Sequence, residues 1–591
     1  MEFSAFIPIF ASLYVAVSAV LKWCRTLSRG NLSHLPGPPN EKWSKGHIPS
    51  LYNPNTAFSF HDSLSAYGPV AKLYGVFGSV RLYINDPHAM ANILLKNEGN
   101  WQRTDSYVAN LGMVLGPGLL ATKGIRHKAQ RKVREVLLLL HGCFTNKCAQ
   151  DSYPNIQFDH SQNNGEATHA PVALKQVHPR LNANFTNANS QLVAGIEHEI
   201  KEQGEAAASV DIFKWTHRGA LDAVGLGGMG HDFQMLSGGD SEYSKAIKHL
   251  LPALFSLAIL RPIMPTLYKV GPAWFRRAII TRIPSKAIKQ LLWVVDVQHQ
   301  QALKIFEQKK MTLGDSKHGS SLTSVQKDVV TLMLQANEKA DAKDKISEEE
   351  MLGQLNTLIF AGHDTTSGAL ACTFQMLAEH PEVQEKLREE LLECPSEDPD
   401  YGTLEAFPLL DAVIKETLRL HPPVSIVERV AVRDTVLPLR TPANTQGSSS
   451  AALAVPAGTL VMVSLRTANR DPATWGPDAL EWNPYRWLRP LSNDVIDARI
   501  PGVYSNMMTF LGGSHSCIIQ GIVEIVVHAR GSMLIVIHNK RPVCVARNEG
   551  DCRSYHAETF GPQFGGTSKP FVVDAVSGGA SPGLVLNVAA I

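Results

Sequence analysis

The sequence predicts a mainly α fold with small β-sheets, standing behind one N-terminal transmembrane helix. Three observations carry that expectation. Long stretches repeat apolar residues at the helical spacing of three and four, most clearly from Ile346 to Ala378. Short apolar runs bounded by turn residues, at Val70–Tyr74, Val80–Ile84 and Val461–Leu465, read as strands. The run from Phe3 to Leu21 carries no charge and comes close to the ~20 apolar residues that cross a bilayer.

The anchor expectation rests on charge order. A cleaved signal peptide has positive charge before its apolar run. Here Glu2 precedes the run, and Lys22, Arg25 and Arg29 follow it. The positive-inside rule then puts the rest of the chain in the cytoplasm, and the endoplasmic reticulum is the membrane expected. Residues 1–22 are read as the anchor in membrane lipid and 23–45 as a basic, proline-rich hinge. Leu35-Pro36-Gly37-Pro38-Pro39 stiffens that hinge toward extended backbone. Residues 46–591 are read as one globular domain. The formal net charge of +2 points to no nucleic acid partner. Eight cysteines at irregular spacing in 591 residues do not read as a disulfide framework.

Asp86-Pro87 starts a helix, with proline in the first turn where its missing N–H costs nothing. Ser347 and Glu350 have capping-box spacing ahead of the long helix. Glu382–Glu393 and Leu409–Leu420 are amphipathic helices. Residues 141–179 are polar, lack either period and read as an insert. Thr441–Ala452, rich in Ser, Thr and Gly, reads as a surface loop. Ile522–Val527 and Met533–Ile537 read as β-like runs in an atypical tail, 518–591. Gly225-Leu-Gly-Gly-Met-Gly230 satisfies G-x-G-x-x-G, but it follows a helix-like stretch with no βαβ unit around it, so a dinucleotide site is not expected. Cys143 and Cys148 have no companion ligands for a metal. The sequon at Asn184 stays unused on a cytosolic face.

Three groups of residues carry chemistry. In Phe510-Leu-Gly-Gly-Ser-His-Ser-Cys517, paired glycines that include Gly513 allow a tight turn and close approach to a flat ligand. A thiolate follows, and cysteine thiolate is an axial ligand of heme iron that favours O–O cleavage. An isolated cysteine is otherwise a small buried hydrophobe. In Ala361-Gly362-His-Asp364-Thr365, a mid-helix glycine costs about 1 kcal/mol against alanine, and a planar cofactor lying on the helix gives a reason for it. Asp364 and Thr365 set an acid beside an alcohol, suited to moving protons toward bound dioxygen. Local bonding of the threonine to its own helix is the plainer alternative. In Glu416-Thr-Leu-Arg419 the ions share a helix face. Their apolar flanks point to a buried pair that needs a further partner.

Together these segments resemble the cytochrome P-450 family, in its membrane-bound eukaryotic, fungal-type members. The resemblance covers roughly residues 35 to 517, interrupted by the insert. It implies heme b with iron ligated by Cys517, and a mostly helical domain with a small β-rich lobe. It also implies that Arg486, in Asn483-Pro-Tyr-Arg-Trp487, locks the Glu416–Arg419 pair. His127, Arg131, Arg429 and His515 would hold the propionates. The implied reaction is a monooxygenation: one atom of O2 enters an apolar small molecule, terpenoid or aromatic, of secondary metabolism. The electrons come from NADPH through a flavoprotein reductase.

The chain departs from the family at two places. His515 stands where arginine is usual, and Ile519 where glycine is usual. The tail after Ile518 also lacks the family's ending, as if the gene were read differently there. This predicts weakened heme retention, and the alternative reading is a protein crippled by its tail, a non-catalytic membrane protein. A second alternative, a heme-thiolate isomerase that needs no O2, is disfavoured by the intact Asp364-Thr365 pair.

Overall fold

The computed structural model describes residues 32, 34–40, 42–53, 56–131, 190–199, 201–202, 208–237, 241–256, 263–317, 328–394, 401–445, 448–518, 520, 526–527, 543–546 and 585–590. The apolar run Phe3–Leu21, the insert 141–179, Cys143, Cys148, Asn184, Ile519 and Met533–Ile537 lie outside them. Among the described residues, no helix is long and apolar enough to cross a membrane.

The small lobe is a five-stranded sheet in the order β1 (Val70–Tyr74), β2 (Val80–Ile84), β8 (Leu460–Ser464), β5 (Ile426–Ala431), β3 (Trp101–Gln102). Its pairs are antiparallel except β2 with β8. The three strands read from sequence are present, two of them with the expected bounds. The proline segment is packed on this lobe. Lys72 N–H donates to Pro36 O at 2.7 Å, and a Cβ on Gly37 would sit 2.0 Å from the Lys72 carbonyl oxygen. Leu32 and Leu35 are buried in the main core. The chain is therefore fixed to β1 before it reaches the globular domain.

The helices that frame the site are, in chain order, α1 (Pro87–Ala91), α2 (Asp105–Leu115), α3 (Ile212–Ala223), α4 (Glu242–Ser256), α5 (Lys286–Lys317), α6 (Val329–Lys339), α7 (Glu348–Glu379), α8 (Pro381–Leu392) and α9 (Pro408–Leu420). The central one is α7, 32 residues long and buried over most of its length. Its start is set by the capping box: Ser347 Oγ accepts from Glu350 N–H and Glu350 reaches back to Ser347 N–H. Glu348, Glu349 and Glu350 complement the positive end of the helix dipole. His380 before Pro381 ends it, because a residue preceding proline is pushed out of the helical region.

Two readings of sequence are corrected here. Thr441–Ala452 is the turn region of a hairpin rather than a loop, formed by β6 (Thr435–Thr445) and β7 (Ser448–Val455). The alternation Leu437, Leu439 against Leu453, Val455 buries one face, and that period carries the strands outward through small polar residues. Val526 and Val527 are helical and fully buried rather than β-like. A short apolar run does not by itself distinguish a buried strand from a buried helix.

The glycine-rich run Val224–Met229 continues α3 as wide-turn helix and stops at Gly230, φ 54°. A Cβ on Gly225 would meet His231 O at 2.5 Å and the Phe233 ring, so this glycine serves packing. In the tail, β9 (Val543–Ala546) and β10 (Val585–Ala590) form a three-stranded sheet with β4 (Ala208–Asp211).

Candidate active site

The loop carrying Cys517 is tied at both ends: Cys517 N–H donates to Phe510 O at 2.8 Å, and Ser516 N–H to Gly513 O at 3.0 Å. The paired glycines are required by close-lying protein backbone. A Cβ on Gly512 would fall 1.8 Å from Pro501 O, and one on Gly513, at φ +71°, 2.3 Å from Leu94 O. Leu511 also sits in the left-handed region, at φ 59°, a conformation that costs energy and is held by its surroundings. Arg131 braces the loop from helix 124–131, donating to Ser514 O, to Ser516 O at 3.2 Å and to Ser516 Oγ at 2.7 Å.

A cavity of about 290 Å³ opens beside this loop. Cys517, Phe510, His515, His127, Arg131, Arg429, Ala361, Asp364 and Thr365 all line it. Gly362 is buried in α7 but is not on the wall, and Gly513 is also off it. The neighbouring Ala361 and the apolar Phe360, Leu119, Leu120 and Val424 supply flat surface instead.

Arg103, which sequence reasoning missed, also lines the cavity. Arg103 and Arg429 are both buried, and among the described residues neither has a carboxylate at ion-pair distance. Arg103 donates to Leu119 O at 2.7 Å and Arg429 to Glu428 O at 2.9 Å. Burial, and then the charge of Arg103, brings the Arg429 guanidinium down to about 10, still a cation at neutral pH. Two buried cations beside a thiol and an apolar slot fit a flat ligand with two carboxylates and a metal centre.

His515, where arginine is usual, lines the cavity and is also engaged by protein groups. It stacks on His127 with ring centroids 4.3 Å apart, and its Nδ1 lies 3.1 Å from Glu98 Oε1. Burial lowers it to about 4; the bond to Glu98 opposes this, and Arg103 and Arg429 add to it.

On α7, Thr365 Oγ1 donates to Ala361 O at 2.7 Å, the local bond weighed from sequence, while the side chain still faces the cavity. Asp364 Oδ1 lies 3.2 Å from His363 Nδ1.

Behind the site, Arg419 Nε and Nη2 donate to Glu416 at 2.9 and 2.8 Å. Asn483 N–H at 3.0 Å and Trp487 Nε1 at 2.9 Å also donate to Glu416. Arg419 Nη1 donates to Asn469 O and Ala479 O. Arg486 stands 3.6 Å from Glu416 and pairs at 2.7 Å with Asp478. The lock expected from Arg486 is thus shared with Asn483 and Trp487. Trp487 was next to Arg486 in the segment already singled out, so its indole donor was a legible signal.

The family model for cytochrome P450 matches residues 133–522. Cytochrome P450 monooxygenase 91 of Postia placenta is 37% identical over 500 residues, covering 84% of this chain and 85% of that protein. Cytochrome P450 monooxygenase 212 of the same fungus is 36% identical over 526 residues, covering 86% and 89%. A ganoderic acid synthetase of Ganoderma lucidum is 32% identical over 523 residues, covering 85% and 87%. With a thiol, two buried guanidiniums and an acid–alcohol pair on one cavity, and with these likenesses over most of its length, the chain belongs to the cytochrome P450 family of heme-thiolate monooxygenases.

Proposed function

We propose that Cys517 would hold the heme iron and that the chain monooxygenates an apolar small molecule of secondary metabolism, terpenoid or aromatic in skeleton. The observation that carries this is one cavity lined at once by Cys517, by Asp364 with Thr365, and by Arg103 with Arg429. Heme supplies reductive activation of dioxygen, one atom going to substrate and the other to water, with electrons from NADPH through a flavoprotein reductase.

The chain's own residues bind, orient and move protons. Arg429 and Arg103 would hold the two propionates, relieving two buried charges that have no carboxylate partner among the described residues. Arg131, which also lines the cavity, holds Ser514 and Ser516 of the ligand loop so that Cys517 is presented to the cavity. His127 and His515 form a stacked pair of rings on the cavity wall. Asp364 and Thr365 hold and pass protons at the carboxyl and hydroxyl oxygens. Apolar residues such as Phe360 and Val424 exclude water from the substrate. Glu416, Arg419 and Arg486 support the core.

The membrane reading, with residues 1–22 as anchor and a cytosolic domain at the endoplasmic reticulum, rests on the charge order of the sequence. It is supported by exposed Trp274, Phe275 and Ile279 on the short helix Ala273–Ile280, which carries Arg276 and Arg277, with Arg282 and exposed Ile283 just beyond its end, a composition suited to a lipid surface.

The test is the carbon monoxide difference spectrum of reduced membranes. The unaltered chain gives the red-shifted band of thiolate-ligated heme, and Cys517→Ser abolishes it. A Cys517→Ser protein that kept the band, or an unaltered protein without it, sinks the proposal and favours the non-catalytic alternative. Product analysis in a reductase-containing host then identifies the substrate.

A further inference from the structure

We infer that His217, His363 and Asp364 form a binding site for a divalent cation of the zinc type between α3 and α7. The three side chains are buried, and one ligand atom from each lies within 4.8 Å of the others. None of them was read from sequence as a metal ligand.

The inference follows from where the imidazole protons must be. His363 Nε2 is 3.1 Å from the His217 carbonyl oxygen. A carbonyl only accepts, so Nε2 carries the proton and Nδ1 presents a lone pair. His217 Nδ1 is 3.3 Å from Ser367 Oγ, whose own hydroxyl donates to Asp364 O at 3.1 Å. Ser367 therefore accepts from His217 Nδ1–H, and His217 Nε2 is the second lone pair. Both His217 Nε2 and His363 Nδ1 are buried without a hydrogen-bond partner. The Asp364 carboxylate adds a third acceptor, 3.2 Å from His363 Nδ1.

Three lone pairs facing one buried point, with no donor among them, are costly unless a cation or donor lies between them. The other nitrogen of each imidazole is already engaged by an oxygen, the arrangement that fixes the tautomer of metal-bound histidine.

Two histidines and one carboxylate suit Zn²⁺ better than Mg²⁺ or Ca²⁺, which prefer oxygen. Tetrahedral zinc with bonds of about 2.1 Å spaces its ligands about 3.4 Å apart. The His363–Asp364 contact is near that already, and small side-chain rotations bring in His217. A water takes the fourth position. The ion would then tie α3 to α7 one residue from Thr365, with one Asp364 oxygen bound and the other left to the cavity.

The full-length protein in detergent is equilibrated with zinc chloride, passed through gel filtration, and analysed for zinc and iron per chain by mass spectrometry. About one zinc per chain is expected. His217→Gln and His363→Gln should each lower zinc to below roughly a tenth of that. Ser367→Ala, which removes only the orienting acceptor, should weaken binding roughly tenfold. Zinc absent from the unaltered protein, the result expected if water alone fills the gap, overturns the inference. So does zinc unchanged in both histidine variants. Iron per chain reports on the heme site separately, so the two readings can fail independently.

Discussion

Arg419 and Glu416 meet through two parallel hydrogen bonds, with both side chains wholly excluded from solvent. Every oxygen and nitrogen of the pair has protein partners, and removing one side leaves the other charge buried and uncompensated. Arg419→Ala is expected to cost about 3–5 kcal/mol and, in a chain of this length, to lower the thermal midpoint by roughly 2–4 °C. Arg486→Ala should cost only about 1 kcal/mol, since its nearer partner is the partly exposed Asp478. Calorimetry of both variants checks the order. Equal losses would mean that Arg486 carries the lock after all.

What the sequence revealed, and what it hid, follows from the range of each interaction. The start of α7 was legible because Ser347 and Glu350 are three residues apart and cap one another. The Glu416–Arg419 pair was legible for the same reason. Arg103 was not, because it reaches the cavity by folding and faces Arg429 from a position 326 residues away in sequence. The hairpin around Thr445 was hidden because its small polar residues match a loop in composition, and its inward Leu437 and Leu453 lie outside the segment that looked unusual. His217 and His363 were separated by 146 residues, and only the packing of α3 on α7 puts their rings 3.8 Å apart.

Gly512 is pinned by a carbonyl. Gly512→Ala sets a methyl 1.8 Å from Pro501 O, which the backbone relieves only by moving the loop before Cys517. A loss of about 1–3 kcal/mol is expected, together with reduced heme retention. Gly99→Ala is the control, because nothing lies within 4 Å of its added Cβ. Heme absorbance relative to protein, measured on both, separates a loop effect from a general one. Full heme content in Gly512→Ala would contradict it.

His61 makes stability depend on acid. It is buried between Tyr83 and the Leu51 carbonyl, and burial lowers it from 6.5 to about 4. The unfolded chain binds this proton first, so the folded state is favoured fully above pH 6.5. That advantage is lost as pH falls from 6.5 through 4. The shift corresponds to about 3 kcal/mol. His61→Phe should flatten the fall in thermal midpoint between pH 7 and pH 4.5. An equally steep fall in the variant would assign the acid sensitivity elsewhere, for example to His515.

Asp364 and Thr365 both face the cavity, but they are held differently. Thr365 is bonded to its own helix through Ala361 O, whereas Asp364 touches His363. A carboxyl group can release and regain a proton; an amide of the same shape cannot. Asp364→Asn is therefore expected to lower turnover roughly a hundredfold, with a larger solvent isotope effect and an unchanged carbon monoxide band. Thr365→Ala should leave heme binding intact and divert electrons from product to reduced oxygen, because a hydroxyl that orders a proton near dioxygen is lost. Product formed per NADPH oxidised distinguishes the two variants. Turnover in Asp364→Asn within a fewfold of the unaltered rate would show that protons arrive by another route.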